Sequence, residues 1–333
     1  MLTSHDATQR FCVLWAWVIL TSLFLLLGWR PCRAEALEIR LGTGQIGTFS
    51  HFTGQQLCRV INADQAELAC TPVPTPDDLD NLTNLRSGSL DIGLVSSRTL
   101  HDALHQAGDF RYLDISYQNL RLILPLNSVP VSLVVRRDAG ISSLDQLAGK
   151  RINAGVPGTL EHEVMKMIME AKGWAKSDFS LFEGLSSTQA QNTMALCHGT
   201  IQAMLHIGVH PDRKLEHLFT SCQATLAPMQ DRQMTELIHT HPAYFQVTIP
   251  SDTYAEVPGP ISTFGTKTLL VAPSGLDKDI VIALIQAIDR HREQLSGTHP
   301  ALSDLRVESA EIKDSKLHMH PAAAAYFANR DAP

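Results

Sequence analysis

This 333-residue chain lacks most of what would name a function outright. It has no long basic run, and 34 acidic residues outweigh 27 basic ones for a formal charge of −7, which argues against nucleic acid as a partner. No GxSxG, no HExxH and no pair of carboxylates placed for a cleft occurs, so the chain is not expected to be an enzyme. Cysteine is scarce, at six residues, and without CxxC or any other metal spacing. Fifteen histidines invite a metal reading, with His239/His241 and His318/His320 the closest pairs. Neither pair has a cysteine or carboxylate at ligand spacing, so no metal and no cofactor is expected. There is no internal repeat, no low-complexity tract beyond the alanines at 322–325, and no membrane-length apolar segment after Gly28.

What is present starts with an export signal. Residues 1–10 are polar with a single arginine, residues 11–28 are an almost unbroken apolar run, and Ala34-Glu35-Ala36 supplies the small-x-small pattern of a leader peptidase site. Residues 1–36 are therefore expected to be a signal peptide and the protein to be periplasmic. Cys32 follows Trp29-Arg30-Pro31 rather than the small residues of a lipoprotein box. The apolar run is near the lower limit for spanning a bilayer, which leaves an uncleaved anchor as the alternative. The mature part, about 300 residues, is enough for two domains.

The rest is organised around residues 37–62. Leu37, Ile39 and Leu41 alternate with Glu38 and Arg40 as in a half-buried strand, and from Thr53 the apolar positions Leu57, Val60 and Ile61 recur at helical spacing. Between them lies Gly42-Thr43-Gly44-Gln45-Ile46-Gly47, a GxGxxG. A dinucleotide site would also want an acid closing the second strand, and Glu67 opens that run instead. The loop suits a carboxylate or phosphate, since free N–H groups and the positive end of a helix dipole meet there.

Further on, residues 78–87 read as a helix ended by Gly88, 90–97 as a buried strand, and 121–126 and 129–135 as two strands crossing out of the first unit. Gly140 then opens a second unit with the same plan: strand 150–154, glycine turn 155–159, helix 160–172. Strand 179–182, helix 187–197 and strand 201–207 follow. Extended runs 243–250 and 263–271 carry the chain back to a long helix at 277–295. The architecture expected is α/β with two lobes and a ligand cleft between them: residues 37–136 in lobe 1, 137–259 in lobe 2, and 260–333 returning to lobe 1. Four cysteines remain in the mature chain and allow three pairings. Cys58 and Cys70 stand on adjacent elements, and Cys197 and Cys222 flank a strand, so these are the pairs expected, with buried free thiols as the alternative.

At this length the residues carry a resemblance. The GTG loop with Thr53-Gly54 and Cys58, Arg86-Ser87-Gly88 with Leu90-Asp91, Gly149-Lys150-Arg151 with Asn153 and Pro157-Gly158 stand in one order. Leu196-Cys197, His210-Pro211, Thr263-Phe264-Gly265, His299-Pro300 and His320-Pro321 with Tyr326 continue it. In that order they resemble the TAXI-type solute receptors of tripartite ATP-independent periplasmic (TRAP) transporters. The resemblance implies a type II periplasmic-binding-protein fold that closes on a small carboxylate, such as glutamate or 2-oxoglutarate, and hands it to membrane subunits driven by an ion gradient. It also implies the two cysteine pairs. The chain departs from the family pattern at Ser50-His51 (a tyrosine pair in the family), at Ser96-Ser97-Arg98 (Gln-Ser-Asp), at Gly158-Thr159-Leu160-Glu161 (Gly-Ser-Gly) and at Asp77-Asp78 (Gly-Ser).

The expected ligand site is therefore Gly44, Gly47, Thr48, Ser50 and His51 in the first loop, Ser96, Ser97 and Arg98 at a strand end, and Gly158 and Thr159 across the cleft. Arg98 would grip a carboxylate; the competing reading pairs it with Asp102, four residues on. The function expected is a monomeric receptor for an anionic organic solute delivered to TRAP membrane subunits, the alternative being a ligand sensor of the same fold that signals to a membrane kinase.

Overall fold

The computed structural model describes residues 36–184, 189–305 and 317–330. The chain divides after Leu37, and the unit from Glu38 onward carries the fold. Apart from Ala36, the leader expected over residues 1–36 lies outside the described residues. No helix among the described residues is long and apolar enough to cross a membrane.

Strand β1 (Leu37–Gly42) buries Ile39 and Leu41. Helix α1 (Phe49–Asp64) follows, then β2 (Leu68–Val73), α2 (Asp78–Ser87), β3 (Ile92–Ser96) and α3 (Ser97–His105). After β4 (Leu120–Arg136) come β5 (Arg151–Asn153), α4 (Leu160–Lys172), β6 (Leu181–Glu183) and α5 (Gln189–Cys197). Then come β7 (Ala203–Ile207), α6 (Arg213–Ser221), β8 (Ala224–Ala227), α7 (Arg232–Thr240) and β9 (Phe245–Ile249). The chain closes with β10 (Ile261–Pro273), α8 (Lys278–Arg290), α9 (Arg292–Thr298) and α10 (Pro321–Arg330).

Hydrophobic spacing explains the longer helices. Val164, Met165, Ile168 and Met169 make one buried stripe on α4, and Leu57, Cys58, Val60 and Ile61 make another on α1. Yet α1 starts four residues before Thr53, because Thr48 caps it and Phe49 and Phe52 pack on the His299 ring, outside the main stripe. Residues 121–135, expected as two strands, form a single long one. Its prolines are tolerated because Pro125 lies at a register shift opposite β10 and this half of β4 has a ladder partner on one side only, save an isolated bridge between Leu122 and Met319. The helix expected over 277–295 breaks at His291, whose ring turns to Asp64 at 3.3 Å.

The strands join in the order β2-β1-β3-β10-β4-β7-β5-β6, with β8 on β4 and β9 on β10. The two long strands divide this sheet. Residues 120–130 of β4 pair with β10, whereas Val131 to Arg136 pair with β7 and β8. Likewise Thr268 to Val271 of β10 pair with β3, and Ile261 to Gly265 with β9. Each half has apolar clusters of its own: Leu41, Leu57 and Ile285 or Leu82, Val95 and Leu122 in the first, Val135, Val164 and Met234 or Val134, Phe219 and Tyr254 in the second. Two covered halves joined by two strands make a two-lobed α/β fold. Where the strands pass from one half to the other, Gly265 backs onto the Val129 carbonyl so closely that a Cβ would collide with it.

Both halves contain parallel neighbours, β1 with β3 and β5 with β6 and β7. In open α/β sheets, the carboxyl ends of such strands are where ligands bind. Among the described residues, loops 43–48 after β1, 154–159 after β5 and 208–212 after β7 lie there, and so does the start of α3, which follows β3 directly at Ser97.

Candidate functional site

The loops after β1 and β5 are built alike. In the first, Thr48 N–H donates to Gln45 O at 3.0 Å, Thr48 Oγ1 donates to the same carbonyl at 2.7 Å, and His51 N–H donates to Thr48 Oγ1 at 3.3 Å. In the second, Thr159 N–H donates to Val156 O at 3.0 Å, Thr159 Oγ1 donates there at 2.9 Å, and His162 N–H donates to Thr159 Oγ1 at 3.4 Å. Gly47 and Gly158 hold φ of +89° and +90° with open space where a side chain would be. That is the third position of a type II turn, and Pro157 fits the second. Each turn runs into a threonine-capped helix with histidine three residues past the cap. The spacing Gly-Thr-x-x-His, at 47–51 and 158–162, was present in the sequence as a repeat of five positions, too short to stand out.

The two turns differ in charge. The first turn of α1 holds no acid, while that of α4 holds Glu161 and Glu163. The first is therefore the anion-friendly one, with exposed Thr48 and Gly47 at its tip.

The structure gathers Gly44, Thr48 and Ser50: a Cβ on Gly44 would lie 2.9 Å from Thr48 Oγ1 and 3.3 Å from Ser50 Cβ. His51, 8% exposed, turns inward instead. Its Nδ1 lies 2.9 Å from Thr43 Oγ1 and its Nε2 3.2 Å from Gln55 Nε2. With the glutamine amide donating, the ring is the neutral Nδ1–H tautomer, and Thr43 passes its own proton to Val73 O at 3.1 Å.

At the end of β3, Ser96 caps α3, its Oγ accepting from Arg98 N–H at 3.1 Å, while its own N–H donates to Asp78 Oδ2 at 2.7 Å. Burial raises the Asp78 pKa, and the Ser96 N–H opposes that rise. Ser97 is fully buried and ties the halves together: its hydroxyl donates to Ala243 O at 2.7 Å and accepts from Lys267 N–H at 3.1 Å. Arg98 Nη1 donates to Asp102 Oδ2 at 3.2 Å, with about a third of the side chain (34%) exposed. Close by is a residue the sequence did not single out, Tyr244. Burial pushes its phenol up to about 12; the charge of Arg98 opposes this, and Asp102 and Glu163 add to it. Arg98 and Asp102 come from α3 and Glu163 from α4, so Tyr244 stands where the halves meet.

A second meeting point lies after β7. His210 is buried beside a cis peptide bond to Pro211. Its Nε2 is 2.8 Å from Ser132 Oγ and its Nδ1 2.7 Å from Tyr254 OH, which also accepts from Asp212 N–H at 2.7 Å. A neutral ring with the proton on Nε2 satisfies all three bonds. Burial, with help from the charge of His206, lowers its pKa to about 4. Burial would raise Asp212, but the His206 bond and charge and the N–H groups of Lys214 and Leu215 outweigh it, to about 2. Next to His210 is a cavity of about 290 Å³ bounded by Ser128 and Pro130 of β4, Val247 of β9, and Pro300 and Ser303. Next in the chain to Pro300, His299 accepts from Ala301 N–H at its Nδ1 at 3.1 Å, its ring reaches the Pro211 carbonyl, and burial lowers its pKa.

The cysteine pairs are joined, Cys58 to Cys70 with Cα atoms 4.9 Å apart and Cys197 to Cys222 at 4.6 Å. No group of three histidine, cysteine or acidic side chains is placed to hold a metal ion among the described residues.

A model of the NMT1-like family matches residues 41–330. Among solved structures, the chain is similar to a TctC solute binding protein from Polaromonas, at 15% identity over 90% of this chain and 96% of that one, with a TM-score of 0.55. It is also similar to the periplasmic aliphatic sulphonate binding protein SsuA from Escherichia coli, at 14% identity over 88% of this chain and 79% of that one, TM-score 0.48. The first likeness shows that the two-lobed fold is one used by solute-binding proteins.

Proposed function

The chain belongs to the NMT1-like family, and from that premise we propose that it is a periplasmic solute receptor of the TAXI type. In this reading it captures a small anionic organic solute, a carboxylate, between its lobes and hands it to TRAP membrane subunits. Residues 37–136 and 260–333 supply lobe 1 and residues 137–259 lobe 2, save that 131–136 of β4 and 261–265 of β10 cross into the second half, and these two strands are the hinge about which the lobes close. Closure excludes water and strengthens the charged contacts inside.

One observation carries this reading: the two like turns, each at the carboxyl end of a parallel strand in its own half of the sheet, each presenting open backbone at a capped helix start. Gly44, Gly47, Thr48 and Ser50 then face the solute from lobe 1 and Gly158 and Thr159 from lobe 2, with His51, Ser96 and Ser97 holding the loops in shape. Arg98 supplies the fixed cation. Its contact with Asp102 is a half-buried i,i+4 pair through a single nitrogen, Nη1, so among the described residues Nε and Nη2 remain for a carboxylate. The test is a thermal-shift screen of residues 37–333 against mono- and dicarboxylates, followed by titration of Arg98→Ala. An acid that binds only the folded chain raises its melting temperature. Loss of Arg98 should then weaken binding by about 1.5–3 kcal/mol. An unchanged Kd would leave Arg98 as a surface residue and the anchor in the turns.

A further inference from the structure

The cavity of about 290 Å³ beside His210 lies apart from the proposed solute site: neither glycine turn borders it, nor does Arg98. It opens on the other face of the long strands. Along β4, Pro130, Ser132 and Val134 share one face and Val131, Leu133 and Val135 the other. Val134 clusters with Ile249 and Tyr254, whereas Val135 clusters with Tyr244 and Phe264. The cavity lies with Pro130 and Ile249, and Arg98 lies with Tyr244. Its walls come from both halves, Pro300 from the first and His210, Val247 and Ile249 from the second.

Those walls decide what fits. Pro130, Val247, Ile249 and Pro300 are apolar, and since a cavity of about 150 Å³ already holds benzene, a single ring with a short side arm can enter. No lysine or arginine lines the space. His210 has no free nitrogen, because Ser132 and Tyr254 engage both. The charged side chain at the rim is Asp252, exposed and without an ion pair or hydrogen bond among the described residues. An anion meets a like charge there and no counter-charge. A neutral ring gains only the apolar walls, while an organic cation gains the walls and Asp252 together.

We infer that this cavity is a second binding site, for a small organic cation with an apolar ring: the ring lies between Pro130, Ile249 and Pro300, and its ammonium pairs with Asp252. The site refuses the anions that the glycine turns favour, and it does not depend on the receptor reading.

Three probes of similar size test this by titration of the backbone amide shifts of the wild-type chain at neutral pH: benzylamine, which is protonated there, benzyl alcohol and benzoate. Benzylamine should bind at least about fivefold more tightly than benzyl alcohol, and benzoate more weakly than either. The shifts should centre on Ile249, Asp252, Thr253 and Ser303. In Asp252→Asn the affinities for benzylamine and benzyl alcohol should come within about twofold, with benzyl alcohol binding as before. In Glu236→Gln, which alters an acid in the separate groove between α4 and α7, the ratio should stay at the wild-type value. Ser303→Trp, at the cavity wall, should weaken both probes. Benzoate that binds as tightly as benzylamine, a ratio that survives Asp252→Asn, shifts centred on the glycine turns, or a wild-type chain that does not bind benzylamine overturns the inference. Capture of a carboxylate has its own test, with its own acids.

Discussion

His210 is buried with both ring nitrogens bonded, and its pKa of about 4 lies below the ordinary 6.5. Between those values the unfolded chain takes up a proton that the folded chain refuses, so stability is unaffected above pH 6.5 and drops as pH falls from 6.5 toward 4. The loss attributable to this ring is up to about 3 kcal/mol. His299 and His320, also held low by burial, act in the same direction. Asp212, depressed to about 2, gives up its contribution only as pH falls below 3.8, outside this window. Urea unfolding at pH 7.5 and pH 5 should therefore show a marked stability difference in the wild type and a smaller one in His210→Asn. Equal differences in the two proteins would show that His210 titrates freely when folded. The two caps are simpler. Thr48→Ala and Thr159→Ala each remove the acceptor for a first-turn N–H and should cost about 1 kcal/mol, measured by the same unfolding curves.

Among elements, those the sequence made legible share a strong local signal. The α4 stripe from Val164 to Met169 and the Leu160 and Lys172 limits could be read directly, because Thr159 caps one end and Gly173 takes a φ of +68° at the other. The β1 alternation was equally plain. What could not be read depended on partners distant in the chain. That β4 is one strand follows from pairing with β10 and β7, both far along the chain. The short helices α6 and α7 show only three and two buried side chains, Leu215, Leu218 and Phe219 in one and Met234 and Leu237 in the other, too few to give a clear period. In the site, the glycine turns were visible from their residue types. The inward turn of His51, the tie from Ser97 to Ala243 and the place of Tyr244 were not, since each depends on a tertiary contact. The bridges are testable at this scale. Cys58–Cys70 closes a short loop between α1 and β2, with 12 residues of separation, and Cys58→Ala with Cys70→Ala should lower stability by about 3 kcal/mol in the chain-entropy model. Non-reducing peptide maps should contain Cys58–Cys70 and Cys197–Cys222, and a Cys70–Cys197 peptide would contradict the pairing.

For the whole molecule, two sheet halves with separate cores are linked by β4 and β10 and touch through Ser97 to Ala243 and His299 to Pro211. Among the described residues these side-chain ties between the halves are few, which suits closure about the two strands. The most direct measurement is small-angle X-ray scattering from residues 37–333, with and without a saturating amount of the acid that gives the largest thermal shift. A solute captured between the lobes should reduce the radius of gyration and steepen the fall of the pair-distance distribution at long distances. Scattering curves that superimpose, from a protein whose melting temperature the same acid raises, would place the solute on one lobe and contradict capture between them.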